Sequence, residues 1–354
     1  MNFINAEKRG ESMLAAVMEK PFSIHFKEVA RPQVGPHDVL VRIKAAGICG
    51  SDVHFYDGSN PYANYPQIFG HELSGIIEEV GSQVKERKVG ERVVVEPAIP
   101  CGRCYPCRVG KPNACGNIDM IGSVRPGGFA EFLLVPEAHV HVMPDEMSFE
   151  IGALCEPFTI GRQAIQRADI QPGQTVTILG MGPIGLTILA QLKQEHDVNV
   201  FAVDVVPERL EISRRLGADV LINAKDVNLL AEMDRLTGGE GSNIVIEAAG
   251  LPLTIEQTIH LVSPGGRIVI VGLTGKDVTF PGQLLTKKNI ELFGTRHSVN
   301  QFPEVLRFLS QNRELAESFI TEVMPFQHIE SALKKAKNHP DKVVKIVLTY
   351  QARS

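Results

Sequence analysis

The chain has 354 residues, a formal net charge of −5 at pH 7, and 44% hydrophobic and 22% charged residues. The length exceeds that of a usual single domain, and this composition argues against intrinsic disorder. The acidic balance gives no general attraction to nucleic acid or to anionic membranes. The sequence also shows no apolar run long enough to span a membrane and no hydrophobic segment of a secretory signal near its start.

Residues 1–12 are polar and are predicted to be an extension outside the fold. From residue 13 to about residue 100, short apolar stretches such as 13–19, 38–49 and 91–97 alternate with turns rich in Gly and Pro. This pattern is typical of short strands joined by tight connections. It predicts a compact antiparallel β region.

Two segments of this β region, GICGSDVH and FGHELSG, are rich in polar side chains that can bind metals or transfer protons. They contain Cys49, His71 and Glu72, each of which is a competent zinc ligand, and a further acid, Glu156, follows at the expected domain junction. Any one of these residues alone is more often an ordinary core or surface residue. Together they match an open catalytic zinc site, in which three protein ligands leave a position for water or substrate.

Four of the six cysteines lie within fifteen residues, in the spacing C-x2-C-x2-C-x7-C. Cys101, Cys104, Cys107 and Cys115 can fill a tetrahedral zinc shell, and the alternatives are an iron–sulfur cluster or free thiols. A shell of four thiolates leaves no position for substrate, so this lobe is predicted to be structural. Clustered thiols in a chain of this length also favour a cytoplasmic protein over a secreted disulfide scaffold.

From about residue 172 the sequence pattern changes to apolar strands that alternate with amphipathic helices. Val- and Ile-rich strands separated by helices predict an α/β fold with a doubly wound parallel sheet. The expected boundaries lie near residues 160 and 296. The C-terminal segment, with two helices and a closing strand, is expected to return to the first domain.

The segment TVTILGMGPIGLTILAQL combines a strand, the motif Gly180-x-Gly182-x-x-Gly185 and a helix. In this context the glycines allow a tight turn, close approach to a pyrophosphate and close packing of helix on strand. Asp204 ends the next strand, where a carboxylate can accept both ribose hydroxyls and repel a 2′-phosphate. The pattern therefore predicts NAD rather than NADP.

Taken in order, GICGSDVH, GHE, the four-cysteine lobe and GMGPIG resemble the zinc-dependent medium-chain dehydrogenases. The resemblance covers essentially residues 13–354. It implies a GroES-like β-rich catalytic domain of residues 13–160 and 296–354, with a structural zinc lobe at about 97–117. It also implies a Rossmann NAD-binding domain of residues 161–295, and NAD and two zinc ions per subunit as cofactors.

The resemblance assigns roles to the polar residues of the β region. Cys49 and His71 match the family's zinc ligands, and Glu156 stands where the polyol branch has a glutamate that binds zinc directly or through water. Glu72 follows the ligand histidine and in the family can enter the zinc shell transiently. Asp52 is placed to orient the zinc-ligating histidine.

Ser51 and His54 fall where the family's proton relay runs from the substrate oxygen to bulk water. Arg296 matches an arginine that the polyol branch directs toward the cofactor phosphates or the substrate. The full set of residues expected to bind the cofactor is Gly180, Gly182, Pro183, Ile184, Gly185, Asp204, Arg209, Val271, Gly272, Leu273 and Arg296.

The segments CEPFTIG and GTRHS are most similar to the polyol, threonine and sugar-acid branch, including bacterial starvation-sensing and L-galactonate or L-idonate 5-dehydrogenases. The implied reaction is hydride transfer between NAD and a secondary alcohol of a sugar acid or polyol. L-Threonine, sorbitol and a simple alcohol remain alternative substrates. The zinc-free quinone reductases and a non-catalytic relative are the alternatives of a different kind. A small-molecule substrate and a homo-oligomer, dimer or tetramer, are expected, with no nucleic-acid or membrane partner.

Overall fold

The computed structural model describes residues 11–60 and 63–351. The chain divides into two compact units: one runs to Glu156 and resumes at Phe302, and the other is Pro157–Gln301. The sequence-based boundaries were 160/161 and 295/296. The division after Glu156 lies inside a helix, Cys155–Ala168. It therefore does not coincide with the change of sequence pattern on which the predicted boundary was based.

The predicted extension over residues 1–12 is wrong at its C-terminal end. The first strand begins at Ser12, and the carbonyl of Glu11 accepts a 3.0 Å hydrogen bond from the backbone N–H of Arg31. Both residues therefore belong to the fold. Residues 1–10, the rest of the predicted extension, lie outside the described residues.

The first unit opens with strands and short helices. In chain order they are β1 Ser12–Lys20, β2 Ser23–Ala30, β3 Asp38–Gly47, α1 Gly50–Asp57, β4 Glu72–Val80, β5 Arg92–Val95, β6 Ala98–Ile99, α2 Tyr105–Arg108, β7 Asp119–Met120, β8 Phe132–Pro136, β9 Val140–Val142, α3 Phe149–Ala153 and α4 Cys155–Ala168.

The second unit alternates strands and helices. Its elements are β10 Thr175–Leu179, α5 Pro183–Glu195, β11 Asn199–Asp204, α6 Pro207–Arg215, β12 Val220–Asn223, α7 Leu229–Thr237, β13 Ser242–Glu247, α8 Pro252–Leu261, β14 Val262–Ile270, α9 Gly282–Lys287 and β15 Glu291–Gly294. The strands pair in parallel in the order β12-β11-β10-β13-β14-β15. This order confirms the predicted doubly wound parallel sheet.

The chain then returns to the first unit. The last elements are α10 Phe302–Gln311, α11 Arg313–Phe319, β16 Ile320–Pro325, α12 Ile329–Asn338 and β17 Lys345–Thr349. The sheet order is β16-β17-β3-β4-β5-β9, with β8 also on β3, and all these pairs are antiparallel except β16 with β17. The C-terminal strand thus lies next to β3, which leads into the polar segment at Cys49.

The first unit's core includes Val39, Val41, Leu73, Ile77 and Ile346, which come from strands far apart in sequence and are all at most 1% exposed. Burial of such side chains stabilises a fold by roughly 1.5–3 kcal/mol each. Among residues 11–60 and 63–351, none of the helices combines the length and apolar character that a membrane crossing needs.

Candidate functional site

The four cysteines of the lobe converge, with their sulfur atoms all within 4.8 Å of one another. Cys104 Sγ lies 3.4 Å from Cys107 Sγ and 3.7 Å from Cys115 Sγ. A tetrahedral site with Zn–S bonds of about 2.3 Å has S–S edges of about 3.8 Å, whereas a disulfide bond is about 2.05 Å long. All four cysteines are free of disulfide bonds, so the donor set fits zinc.

Backbone N–H groups prepare this lobe for a cation. The N–H groups of Cys101 and Asn117 lie 3.3 and 3.4 Å from Cys115 Sγ. The backbone N–H of Cys107 is the main cause that lowers the pKa of Cys104 to about 6, although burial opposes the shift. Thiolates are the metal-binding form of cysteine, so this shift favours metal binding at Cys104, whereas burial and the neighbouring Cys104 raise the pKa of Cys107 to about 12.

The second cluster depends on a helix that the sequence analysis did not predict. Cys49 is the N-cap of α1, and its backbone N–H donates a 2.9 Å hydrogen bond to the carboxylate of Asp52. This capping box compensates the unpaired N–H groups at the start of a short helix. Gly58, at φ 77°, ends the helix in the left-handed conformation. The cap fixes the direction in which the Cys49 side chain leaves the backbone.

Strand pairing brings His71 and Glu72 to the same place. Glu72 begins β4 and is paired with Gly47 of β3, two residues before Cys49. A Cβ atom on Gly47 would lie 2.1 Å from Glu72 Oε2, so glycine at this position leaves room for the carboxylate where it lies. One ligand atom each from Cys49, His71 and Glu72 lies within 4.8 Å of the others. The predicted trio is therefore spatially close.

The charges around His71 favour a cation. Burial disfavours the imidazolium, but the thiolate of Cys49 and the carboxylate of Asp52 raise the pKa of His71 well above its usual value. Asp52 is fully buried and its Oδ1 lies 3.8 Å from His71 Nδ1. Donors that stabilise a proton on this ring also suit a divalent cation. The soft thiolate with imidazole and carboxylate fits zinc.

Lys345 is a charged neighbour that the sequence analysis missed. Its Nζ lies 2.6 Å from both carboxylate oxygens of Glu72 and donates a 3.1 Å hydrogen bond to the carbonyl of Ile48. Lys345 and Glu72 are only 4% and 1% exposed. The sequence did contain a sign of this pair, a lone lysine inside the apolar strand sequence VVKIVL. Because an unpaired charge is rarely buried, such a lysine indicates a buried acidic partner.

Glu156 lies outside the close trio. It is buried at the start of α4, and burial raises its pKa to about 7, while the nearby His71 lowers it and Glu72 raises it. The carboxyl is thus near enough to interact electrostatically with the trio. Of the two predicted acids, Glu72 is the one that the structure brings within 4.8 Å of both Cys49 and His71.

The two predicted relay residues lie on α1. Ser51 is half-buried, whereas His54 is exposed. The Nδ1 atom of His54 lies 2.9 Å from the Oγ of Ser59. An exposed imidazole with a hydroxyl partner is able to exchange protons with solvent.

The glycine motif forms the expected strand–turn–helix. Gly180 has φ 94°, and Gly182 is the N-cap of α5, with Pro183 at its first position. A Cβ on Gly185 would lie 2.0 Å from the carbonyl oxygen of Gly180, so this position needs glycine. Beside Gly182 there is open space within 4 Å, as close approach of a phosphate requires. Ile184 is half-buried in the same first turn.

Asp204 ends β11 next to this turn and is only 6% exposed. Its carboxylate accepts hydrogen bonds from the backbone N–H groups of Met181 and Val205, both at 2.7 Å, and of Val206 at 2.9 Å. Arg209 Nη1 lies 3.7 Å from Asp204 Oδ2. The carboxylate therefore also holds the glycine turn in place, a contribution that the sequence did not reveal.

Replacing Asp204 by alanine is expected to raise the dissociation constant for NAD about tenfold or more, and that for NADP less. The lost carboxylate also leaves backbone N–H groups unpaired, so the melting temperature should fall as well. The ratio of the two dissociation constants, measured by cofactor fluorescence titration, isolates the ribose contribution. Asp226→Ala, at an exposed position of the same unit, is the control. An unchanged ratio would remove the assignment.

The remaining predicted cofactor residues follow strands at the same edge of the parallel sheet. Val271 and Gly272 come directly after β14 and are half-buried, and Leu273 is 83% exposed. Arg296 lies two residues beyond β15 and is exposed. Ligands of open parallel sheets bind outside this carboxyl edge. The structure thus brings these residues to the edge where the glycine turn lies.

The second unit has a parallel sheet with the glycine turn of a dinucleotide site. The first unit has a set of four metal-ligating side chains, which would fill a zinc shell, and a set of three, which would leave one position open. These features together define a zinc-binding oxidoreductase. Family models agree: residues 35–145 match the alcohol dehydrogenase GroES-like domain, and residues 183–311 match the zinc-binding dehydrogenase domain.

Similar proteins extend this agreement to almost the whole chain. The starvation-sensing protein RspB of Escherichia coli K12 is 37% identical, covering 96% of this chain and 99% of its own. Sorbitol dehydrogenase of Bacillus subtilis is 32% identical, covering 96% and 97%. The crystal structure of RspB from E. coli CFT073 with NADH superposes with a TM-score of 0.91, at 36% identity, covering 96% and 100%. The chain belongs to the zinc-binding alcohol dehydrogenase family.

Proposed function

We propose that this enzyme transfers a hydride between NAD and a secondary alcohol of a polyol or sugar acid, at a catalytic zinc held by Cys49, His71 and Glu72. The observation that carries the proposal is the convergence of these three unlike donors within 4.8 Å. Three protein donors leave a coordination position for substrate, whereas the four cysteines of the lobe leave none.

The protein residues around the trio have distinct tasks. Zinc, when bound, supplies a Lewis acid that lowers the pKa of a substrate hydroxyl. Asp52 positions both the helix that begins after Cys49 and the ring of His71. Ser51 and His54 accept the hydroxyl proton and pass it to solvent, for which the exposed ring of His54 is suited.

Glu156 has a supporting task in this proposal. Burial raises the pKa of its carboxyl to about 7, so near neutral pH the group is present in both its neutral and its charged form. It remains available as a ligand through water, as the family resemblance implies. Lys345 balances the charge of Glu72 in the interior.

The second unit binds the cofactor. NAD, when bound, supplies the hydride acceptor. The start of α5 offers free N–H groups to the pyrophosphate, and Asp204 offers acceptor positions to the ribose hydroxyls. Val271, Gly272, Leu273 and Arg296 complete the proposed cofactor site along the carboxyl edge.

The substrate class rests on resemblance and on the relatives. One relative is named sorbitol dehydrogenase, which supports a polyhydroxylated substrate. The segments CEPFTIG and GTRHS, with the arginine of the latter, support a sugar acid within that class. By the same family resemblance we propose that the enzyme is a cytoplasmic dimer or tetramer.

A screen for NADH formation across polyols, aldonates, L-threonine and simple alcohols tests the substrate class. We expect a polyol or an aldonate to give a kcat/KM at least about tenfold higher than L-threonine, a difference of about 1.4 kcal/mol in transition-state binding. A clear preference for L-threonine would favour the alternative substrate. A metal-loaded protein that oxidises none of these compounds would support a non-catalytic relative.

The two metal sites should be separable by metal analysis. The wild-type chain is expected to contain about two zinc ions, and Cys104→Ser about one, with a lower melting temperature, because structural zinc contributes folding free energy directly. The matched control is Cys155→Ser, at a buried cysteine outside both clusters. Full zinc content in Cys104→Ser would contradict the structural site.

A further inference from the structure

Besides Asp204, the cofactor-binding unit contains a second buried carboxylate. Glu247 is the last residue of β13 and has 0% exposure. Burial raises its pKa, against the lowering effect of the Thr254 hydroxyl and nearby backbone N–H groups. Burying a carboxyl group costs free energy unless hydrogen bonds compensate it, so the hydrogen-bond partners of Glu247 indicate its structural role.

The carboxylate organises the loop that follows its own strand. Glu247 Oε1 accepts hydrogen bonds from the backbone N–H groups of Ala249 at 3.0 Å and Gly250 at 2.8 Å, and from the hydroxyl of Thr254 at 2.7 Å. This loop, residues 248–250, is thereby folded back over the end of β13. It also touches the glycine turn, because a Cβ on Gly180 would lie 2.8 Å from the backbone nitrogen of Ala249.

The same residue also holds the loop after β14. The carbonyl of Glu247 accepts hydrogen bonds from the backbone N–H groups of Val271 at 2.8 Å and Gly272 at 3.1 Å. A Cβ on Gly272 would lie 2.5 Å from Glu247 Oε2 and 2.2 Å from the nitrogen of Gly250. Oε2 is buried and has no hydrogen-bond partner among the described residues. Glu247 thus fills the space between the two loops.

The sheet order indicates which half of the cofactor these loops receive. The chain reverses its direction of winding at β10, which lies between β11 and β13, and dinucleotides bind across such a switch point. Asp204 ends β11, on the side proposed for the adenosine ribose. The other half of the dinucleotide then extends over the ends of β13 and β14, where loops 248–250 and 271–273 lie.

We propose that Glu247 is a positioning residue for the nicotinamide half of NAD: its carboxylate holds loop 248–250, against which loop 271–273 packs, in the arrangement that receives this half of the cofactor. The inference rests on NAD as the cofactor. It assigns the residue no contact with the substrate or the reacting atoms.

The test compares two ligands that share the adenosine half, NADH and ADP-ribose, which lacks the nicotinamide ring. Glu247→Met keeps most of the side-chain volume but removes the acceptors. We expect the dissociation constant for NADH to rise about tenfold or more and that for ADP-ribose to stay within about twofold. The emission shift of bound NADH should also diminish, because it reports the surroundings of the nicotinamide ring.

Glu247→Gln keeps an acceptor of the same shape and is expected to bind NADH within about threefold of the wild type. Glu240→Met, at an exposed position just before the other end of β13, is the matched control. If Glu247→Met does not fold, Glu247→Asp is measured instead, since its shorter side chain withdraws the carboxylate from Gly272. We expect the same selective loss of NADH binding.

Equal losses for NADH and ADP-ribose in the folded variant would overturn the proposal, because they would show a general disturbance of the unit. Wild-type affinity for both ligands would overturn it as well. A wild-type chain that binds neither ligand would instead contradict NAD as the cofactor, so the two failures are distinguishable.

Discussion

Replacing Cys49 by serine should lower NAD-dependent alcohol oxidation by about 100-fold or more. A metal Lewis acid is worth several kcal/mol in the transition state, and each 1.36 kcal/mol corresponds to tenfold in rate. Serine keeps the size of the side chain but replaces a soft thiolate, which suits zinc, by a neutral hydroxyl. Initial rates of NADH formation with the best substrate from the screen, at equal protein concentration, measure the effect.

The same variant should still bind NADH, because the cofactor residues belong to the other unit of the chain. Its zinc content should fall by about one ion per chain, leaving the four-cysteine lobe loaded. Cys155→Ser controls for the loss of a buried thiol, since Cys155 lies in neither cluster. Turnover close to the wild-type rate in Cys49→Ser, with the lower zinc content verified, would refute the catalytic role.

The local motifs could be predicted because each encodes its own geometry. Gly185, for example, is required by a short distance within the turn itself, that to the carbonyl of Gly180. The four cysteines are likewise close in sequence, and a two-residue spacing allows thiols to converge on one ion. Alternating apolar strands and helices indicate a parallel sheet without knowledge of the strand order.

Contacts between distant segments could not be predicted in this way. Lys345 and Glu72 are 273 residues apart, and only the pairing of β17 and β4 with β3 brings them together. The contacts of Glu247 were missed because most of its partners are backbone N–H groups, which every residue has. Helix α1 was missed because GSDVHFYD has little apolar periodicity and its N-cap is an unusual residue, cysteine.

The two acids near the trio show the limit of motif reasoning. The sequence analysis left open whether Glu72 or Glu156 ligates the catalytic zinc. In the structure Glu72 lies in the close group but both of its oxygens contact Lys345, whereas Glu156 is outside the group and has a raised pKa. The role of Glu72 therefore depends on how Lys345 balances its charge. A sequence motif does not predict this contact, because Lys345 lies far from Glu72 in the sequence.

Replacing Lys345 by methionine should destabilise the metal-free protein by about 3–5 kcal/mol, because it leaves the carboxylate of Glu72 buried without a partner. Burial opposes the charged form of Lys345, but Glu72 and Cys49 raise its pKa, so Lys345 is charged in the folded protein. Urea unfolding of the first unit in the presence of a chelator measures the loss. Adding Glu72→Gln to Lys345→Met should recover much of it, since the double variant removes both charges.

Lys335→Met provides a matched control for this prediction. Lys335 Nζ also lies 2.6 Å from a carboxylate oxygen, that of Glu322, but these side chains are 44% and 34% exposed, against 5% and 1% for Lys345 and Glu72. Solvent screens the exposed pair, so its loss should cost no more than about 1 kcal/mol. If Lys345→Met costs as little as Lys335→Met, then Glu72 is neutralised by some other group. The assignment of Lys345 as its counter-ion would then be wrong, because the shortest distance is the same in both pairs, while the Lys345 pair is buried and involves both carboxylate oxygens.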